Sequence, residues 1–317
     1  MTPPMRPRPS REEHSSRILS KLSEIKLGAD IMSHGLSIRS FVLAALASGS
    51  LTSAAVADAR LDPDRLSEIA PVALRPLAPE PHPYTIGRGR FAYEVDVVNF
   101  TLDRHDPDRS NQRVTAWEWP LRVSYGLTDD LDVQVGVDTF VTETVRDRRA
   151  GTRERSSGFG DITLRLKWNV LGNDGADDEA FALALAPQIR VPTRRHGLTP
   201  NGVEGGLEVP MKAYLPEGFE LEWTPGFFIA RNAADDGVTF EWTSLLNIGR
   251  EVFDGWTLFG EFETSLTSEE PEEWVGAINL GVTWDVTDDF VLEFASAIGV
   301  TRSADDLNLA LTVVQRF

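Results

Sequence analysis

Residues 125–135 read YGLTDDLDVQV, and residues 284–294 read WDVTDDFVLEF. Each phrase opens on an aromatic residue, reaches Thr-Asp-Asp, and then resumes with apolar residues at alternate positions. Thr and Asp side chains bond to nearby backbone and favour tight turns. In residues 131–138, Leu131, Val133, Val135 and Val137 share one face, while Asp132, Gln134 and Asp138 share the other. A period of two is the signal of a strand with unlike faces. The phrase therefore reads as strand, turn, strand, and its return late in the chain predicts a fold of repeated hairpins.

The same alternation recurs. In residues 161–170, Ile162, Leu164, Leu166, Trp168 and Val170 oppose Asp161, Thr163, Arg165, Lys167 and Asn169. In residues 256–263, Trp256, Leu258 and Phe262 oppose Thr257, Glu261 and Glu263. Twelve such runs begin near Arg90, Val114, Leu131, Gly160, Phe181, Leu207, Phe219, Val238, Trp256, Trp274, Phe290 and Leu307. Most are longer than the five or six residues usual in soluble strands and match the roughly 9–11 that a tilted strand needs to cross a bilayer.

The connectors alternate too. After even-numbered runs they are mostly short: LTDD at 127–130, LPEG at 215–218, VFDG at 252–255 and VTDD at 286–289, with LGNDGADDE at 171–179 the longest. After odd-numbered runs they are longer and charged, as in DRHDPDRSNQR at 103–113, RDRRAGTRERSSG at 146–158 and RRHGLTPNGVEG at 194–205. Tight turns at one rim and long loops at the other are the asymmetry of outer-membrane barrels. A soluble sandwich would bury the same apolar faces but would not separate its connectors in this way. The expected fold is all-β: a transmembrane antiparallel up-and-down barrel of about twelve strands over residues 89–317, with both termini on the periplasmic side. Outward aromatics fall at strand ends: Tyr125, Trp168, Phe219, Trp256, Trp284, Phe290 and Phe317 toward the turns, and Phe240, Trp242 and Trp274 toward the loops. Two such girdles suit the two membrane interfaces. The expected surroundings are outer-membrane lipid and lipopolysaccharide. Phe317 closes the amphipathic run LNLALTVVQRF and resembles the signal by which the barrel-assembly machinery recognises its clients.

Residues 40–57, SFVLAALASGSLTSAAVA, are uncharged, follow Arg39 and end on Ala-Val-Ala. That order of charged, apolar and small-residue regions is a secretory signal. Its serines, threonine and glycine make it too weakly apolar for a membrane anchor. Met32 gives a signal of normal length, so residues 32–57 are expected to be a cleaved signal peptide and residues 1–31 an upstream extension. The remainder carries 24 bases against 45 acids. Residues 58–88 hold six prolines and no sustained period. By composition they read as an extended periplasmic arm or linker; folded back into the lumen, they would form a plug.

GFGDITLRLKWNVLG, Gly158 to Gly172, resembles the G-x-G-D strand motif of the outer-membrane family named for the MetA-pathway of phenol degradation, also described as transporters. YGLTDDLDVQVGV resembles the periplasmic turn and strand of the same family. The resemblance covers Tyr84 to Phe317. It implies a passive outer-membrane channel for small molecules, apolar or aromatic ones included, since some members are associated with aromatic-compound breakdown, and it carries over no catalytic or binding residue.

On this fold the apolar faces meet lipid and the polar faces line the lumen. A lipid-facing Arg or Lys at the midplane costs about 2–4 kcal/mol, so charged strand residues must point inward. The expected lumen acids are Glu118, Asp132, Asp138, Asp161, Glu220, Glu222, Glu241, Glu261, Glu263 and Glu293, joined by Glu94, Asp96 and Glu208. The expected lumen bases are Arg122, Arg165, Lys167, Arg190 and Lys212. This excess of acid favours cations if the lumen is open. Arg165 and Lys167, tied to nearby acids, could instead close it, and a closed barrel with a structural or adhesive role is the alternative. The net charge of −18 argues against nucleic acid as a partner. With no cysteine, there is no disulfide or thiolate site. His82, His105 and His196 fall in the arm and in loops, none beside a serine on a strand, so no catalysis is expected. The Asp pairs 129–130 and 288–289 lack calcium-loop spacing, and no metal or cofactor is expected.

Overall fold

A computed structural model describes residues 75–104, 112–173, 180–193, 202–232, 237–268 and 274–317. The expected leader, residues 1–57, and the start of the Pro-rich segment lie outside them, as do His105 and His196. Fourteen strands run in chain order: β1 Phe91–Asp103, β2 Gln112–Gly126, β3 Leu131–Asp147, β4 Thr152–Gly158, β5 Ile162–Leu171, β6 Phe181–Val191 and β7 Glu204–Glu208. They continue as β8 Met211–Leu215, β9 Phe219–Arg231, β10 Val238–Phe253, β11 Trp256–Thr267, β12 Trp274–Thr287, β13 Phe290–Gly299 and β14 Leu307–Arg316. Every pairing is antiparallel, and β1 pairs with both β2 and β14, closing the ring. β4 and β5 share one track beside β3, and β7 and β8 share one track between β6 and β9. The wall is therefore twelve tracks wide, a closed antiparallel barrel.

The two interruptions have local causes. Between β4 and β5, the Gly160 N–H donates to the Asp138 carbonyl at 2.8 Å. A Cβ on Gly160 would sit 2.3 Å from the Asp138 Cβ, so only glycine permits this approach. Between β7 and β8 stands Pro210, which has no N–H for the ladder; its carbonyl still accepts from the Ala184 N–H at 2.9 Å. One expectation is corrected here. Residues 146–158 are not simply a loop, because β3 continues to Asp147 and β4 folds back on it, from Asp147 opposite Thr152 to Val141 opposite Gly158. β4, TRERSSG, lacks apolar alternation. Its only described pairing is with β3, so it stands beyond the continuous wall, where no face has to meet lipid.

The twin phrases make the same turn. The Asp130 N–H donates to the Thr128 hydroxyl at 3.2 Å, and the Asp289 N–H to the Thr287 hydroxyl at 3.3 Å. At the seam, Phe91 and Phe317 exchange backbone hydrogen bonds of 3.2 and 2.7 Å. The outer surface is apolar. Tyr125, Trp168, Trp256 and Trp284 are exposed near the turns, and Phe240, Trp242 and Trp274 near the loops. The Trp256 and Trp284 rings stack at 4.8 Å, a pair suited to a membrane interface.

Candidate functional site

Residues 75–88 run inside the ring. The segment enters at the turn rim, where the Arg316 Nη1 donates to the Arg75 carbonyl at 2.8 Å, and climbs to Glu80 and Pro81. It then returns through His82–Gly87, all buried, to the start of β1. Its descending limb is bonded residue by residue to the inner face. Asn169 Nδ2 donates to the Pro83 carbonyl at 2.9 Å, Tyr84 and Tyr214 share a hydroxyl contact of 2.7 Å, and the Thr85 N–H donates to Asn173 Oδ1 at 3.0 Å. The Ile86 N–H donates to Asp132 Oδ2 at 3.0 Å. At the exit, a Cβ on Gly126 would lie 1.9 Å from the Gly87 carbonyl oxygen, so the crossing exists only over glycine. Toward the turns, the inward side chains of β6 are Ala182, Ala184 and Ala186, all buried and small enough to leave room for this arm.

Glu80 is the centre of the arrangement. Its carboxylate lies 2.5 Å from Lys167 Nζ and 3.3 Å from Arg165 Nη1, and accepts from Gln134 Nε2 at 2.9 Å. Its own N–H donates to Glu94 at 3.0 Å, and Glu94 holds Arg122 at 2.9 Å. Burial alone would raise the Glu80 carboxyl, but Lys167 above all, with Arg165, holds it well below the usual carboxylate range. His82 is the opposite case: burial, then Lys167, pushes it down to about 3, so it is neutral. Its Nδ1 accepts the Tyr84 N–H at 3.2 Å, which leaves the proton on Nε2, 3.6 Å from Glu80.

The sequence-predicted lumen residues divide by wall. Each of the five bases meets a carboxylate: Arg122 with Glu94, Arg165 with Glu80 and Glu208, Lys167 with Glu80, Arg190 with Glu204, and Lys212 with Glu220 and Glu222. All five stand on β2, β5, β6 and β8. The opposite wall is acidic and meets neutral groups. Glu261 accepts from Asn279 at 2.6 Å and Asn247 at 3.4 Å, and Glu293 from the Thr283 hydroxyl at 3.0 Å. Glu241 lines the lumen toward the loops, and Glu263 stands opposite the lumen-lining Leu245. Glu118 alternates with Pro120 and Arg122, which line the upper lumen together with Asp138 and Asp161. Asp132 is fully buried under the arm.

Two cavities remain around the arm. One of about 390 Å³ lies toward the loops, walled by Glu94, Asp96, Arg122, Asp138, Asp161 and Glu208. The other, about 270 Å³, lies toward the turns, walled by Lys212, Glu220, Glu222, Glu261 and Glu293. Glu80 and Pro81 of the arm and Leu245 of β10 line both. The tip of the arm and Leu245 therefore stand between the two spaces.

Residues 85–317 match the family described as "Putative MetA-pathway of phenol degradation". The chain belongs to this family. Among solved structures, an outer membrane channel from Pseudomonas putida F1 superposes with a TM-score of 0.60 at 14% identity, covering 76% of this chain and 100% of that one. The NanC porin gives 0.46 at 10% identity, over 70% of this chain and 98% of its own. The transport unit of the autotransporter AIDA-I from Escherichia coli gives 0.45 at 8% identity, over 72% and 89%. At these identities the first likeness establishes the outer-membrane barrel fold, and the other two are too loose to bear argument. No curated protein matches the sequence.

Within this family member, sequence reading missed Glu80 and Tyr84, and put Gln134 on the polar face without its partner Glu80. One signal was available. Arg165 stands opposite Gln134 on β3 and Gln188 on β6, so neither strand neighbour neutralises it. A buried cation without a cross-strand acid requires a carboxylate from elsewhere; Glu208 supplies one at 2.9 Å, and Glu80, 85 positions away, supplies a second at 3.3 Å.

Proposed function

We propose that the protein is a passive outer-membrane channel for small polar solutes, with cations passing more readily than anions. The observation that carries the reading is that Glu80 and Pro81 of the arm and Leu245 of β10 line both cavities, so a solute's route past the arm runs along β10 across this shared boundary. Lys212 lines the cavity toward the turns but is held by Glu220 and Glu222, so the acids a solute on that route meets beside neutral groups are Glu261 and Glu293. A wall of carboxylates favours cations. Hydroxylated aromatics agree with the family description and with hydrogen-bonding walls; hydrocarbons would cross a charged lumen poorly. The reading is non-catalytic: His82 is engaged by Tyr84 and faces Glu80, with no serine in its described contacts.

The ion-paired arm favours a second reading, a barrel closed at rest. Single-channel recording of the purified protein in planar bilayers separates the two. Steady conductance with a cation-side reversal potential supports the channel, and the absence of current from the intact chain supports the closed barrel.

A further inference from the structure

The outer face of β9 to β12 carries a feature that plays no part in the lumen. Along one cross-strand row, Ile248 stands opposite Gly260, and Gly260 opposite Leu280. One row nearer the turns, the order is Phe219, Arg250, Leu258 and Val282. Gly260 contributes no side chain, and a Cβ there would meet only Leu280 Cδ2, at 3.6 Å. The gap is a slot of about 490 Å³, bounded by Phe219, Ile248, Arg250, Val252, Leu258 and Leu280 and open to the lipid side.

Arg250 is the one charged group on this slot. Its guanidinium lies over the Phe219 ring at 4.9 Å. Its cross-strand neighbours are Phe219 and Leu258, and its same-face neighbours along β10 are Ile248 and Val252. None of the four is a carboxylate. The next row toward the turns holds the Trp256–Trp284 stack, which marks the level of the lipid headgroups. An outward Arg is costly at the bilayer midplane but nearly neutral at this depth, where its stem can lie on apolar surface and its head can reach phosphate.

We propose that this slot is a binding site for one glycerophospholipid of the periplasmic leaflet, its phosphate on Arg250 and one acyl chain lying over Gly260. A single cation at the mouth of an otherwise apolar slot complements a ligand with one anionic end and a hydrocarbon tail. A soluble phosphate would gain only the guanidinium. Lipopolysaccharide belongs to the opposite leaflet, at the long-loop rim.

The test is native mass spectrometry of the full chain in mild detergent, titrated with phosphatidylglycerol, with inorganic phosphate as competitor. Wild type should retain one lipid that phosphate does not displace. Both Arg250→Gln and Gly260→Leu should weaken retention by at least about tenfold, or roughly 1.4 kcal/mol, while heat-modifiable gel migration stays that of a folded barrel. Should Gly260→Leu fail to fold, Gly260→Ala adds one methyl in ordinary contact and should weaken retention measurably. Equal retention in wild type and variants overturns the site. Loss in Arg250→Gln alone also overturns it, since that is interfacial charge without a seat for the chain. Displacement by inorganic phosphate overturns it as well.

Discussion

Glu80 of the arm and Lys167 of β5 lie 2.5 Å apart inside the barrel, both almost completely buried. Neither charge would be stable there alone, because an ion moved out of water needs a close partner to offset its lost hydration. The pair, reinforced by Arg165, fixes the tip of a segment without regular structure inside the lumen, while Pro83 to Ile86 are bonded to the wall separately.

Glu80→Gln tests that lock. The amide keeps the shape but leaves Lys167 and Arg165 without their shared counterion, and breaking a buried pair in this way costs about 3–5 kcal/mol. The barrel wall, with its closed ladder, should remain folded. The expected outcome is a larger single-channel conductance and faster proteolysis within residues 75–88. An unchanged conductance step would show that the arm does not restrict the lumen.

His82 gives the arm a dependence on pH. In the docked arm it is neutral down to about 3, whereas free in water it takes a proton near 6.5. The released arm therefore binds more protons below about pH 6.5, and docking weakens by up to about 1.4 kcal/mol per pH unit as pH falls toward 3. Glu80 acts in the same direction at lower pH: its depressed pKa contributes stability that is complete above its ordinary range and is lost as pH falls through the folded value. Conductance should rise between pH 6.5 and 4.5. His82→Asn, which can still accept the Tyr84 N–H, should flatten that rise. A parallel pH profile in the variant would assign the effect to other groups.

What was legible in the sequence follows from the two solvents of the wall. Leu164, Leu166 and Trp168 must meet lipid while Arg165 and Lys167 must not, so the alternation of β5 is imposed at every step and can be read directly. The twin Thr-Asp-Asp turns were legible because a hydroxyl beside a tight reversal has few other uses. The arm obeys no such rule. Pro83, Tyr84, Thr85 and Ile86 are each placed by a different partner, on β5, β8, the turn after β5 and β3. Contacts that far apart in the chain leave no period to detect. β4 was hidden for the related reason that neither of its faces has to be apolar.

Gly126→Val tests the exit of the arm independently of charge. Any Cβ there would overlap the Gly87 carbonyl, 1.9 Å away, so backbone must shift. The Gly89 N–H to Gly126 carbonyl bond of 2.8 Å should be lost, since the two chains can no longer approach. Protection of the Gly89 amide against hydrogen exchange should fall, with β2 and β3 still protected. Retained protection at Gly89 would mean that the crossing tolerates a side chain.

The last prediction concerns the narrow place and its charge together. Leu245 lines both cavities together with the tip of the arm, and Glu261 and Glu293 line the cavity toward the turns. Aperture and selectivity should therefore separate by residue. Leu245→Ala removes bulk without charge and should raise conductance while leaving the reversal potential in a salt gradient unchanged; Leu245→Trp should lower conductance. Glu261→Gln combined with Glu293→Gln removes two acidic groups with little change of volume. It should move the reversal potential toward zero with a smaller effect on conductance, because Lys212 keeps Glu220 and Glu222 as partners and no base is released. Both substitutions are conservative for the fold, since Asn247, Asn279 and Thr283 can bond an amide as well as a carboxylate. A double variant that keeps the wild-type reversal potential would place the selective carboxylates elsewhere, toward Glu94 and Asp96 in the upper cavity.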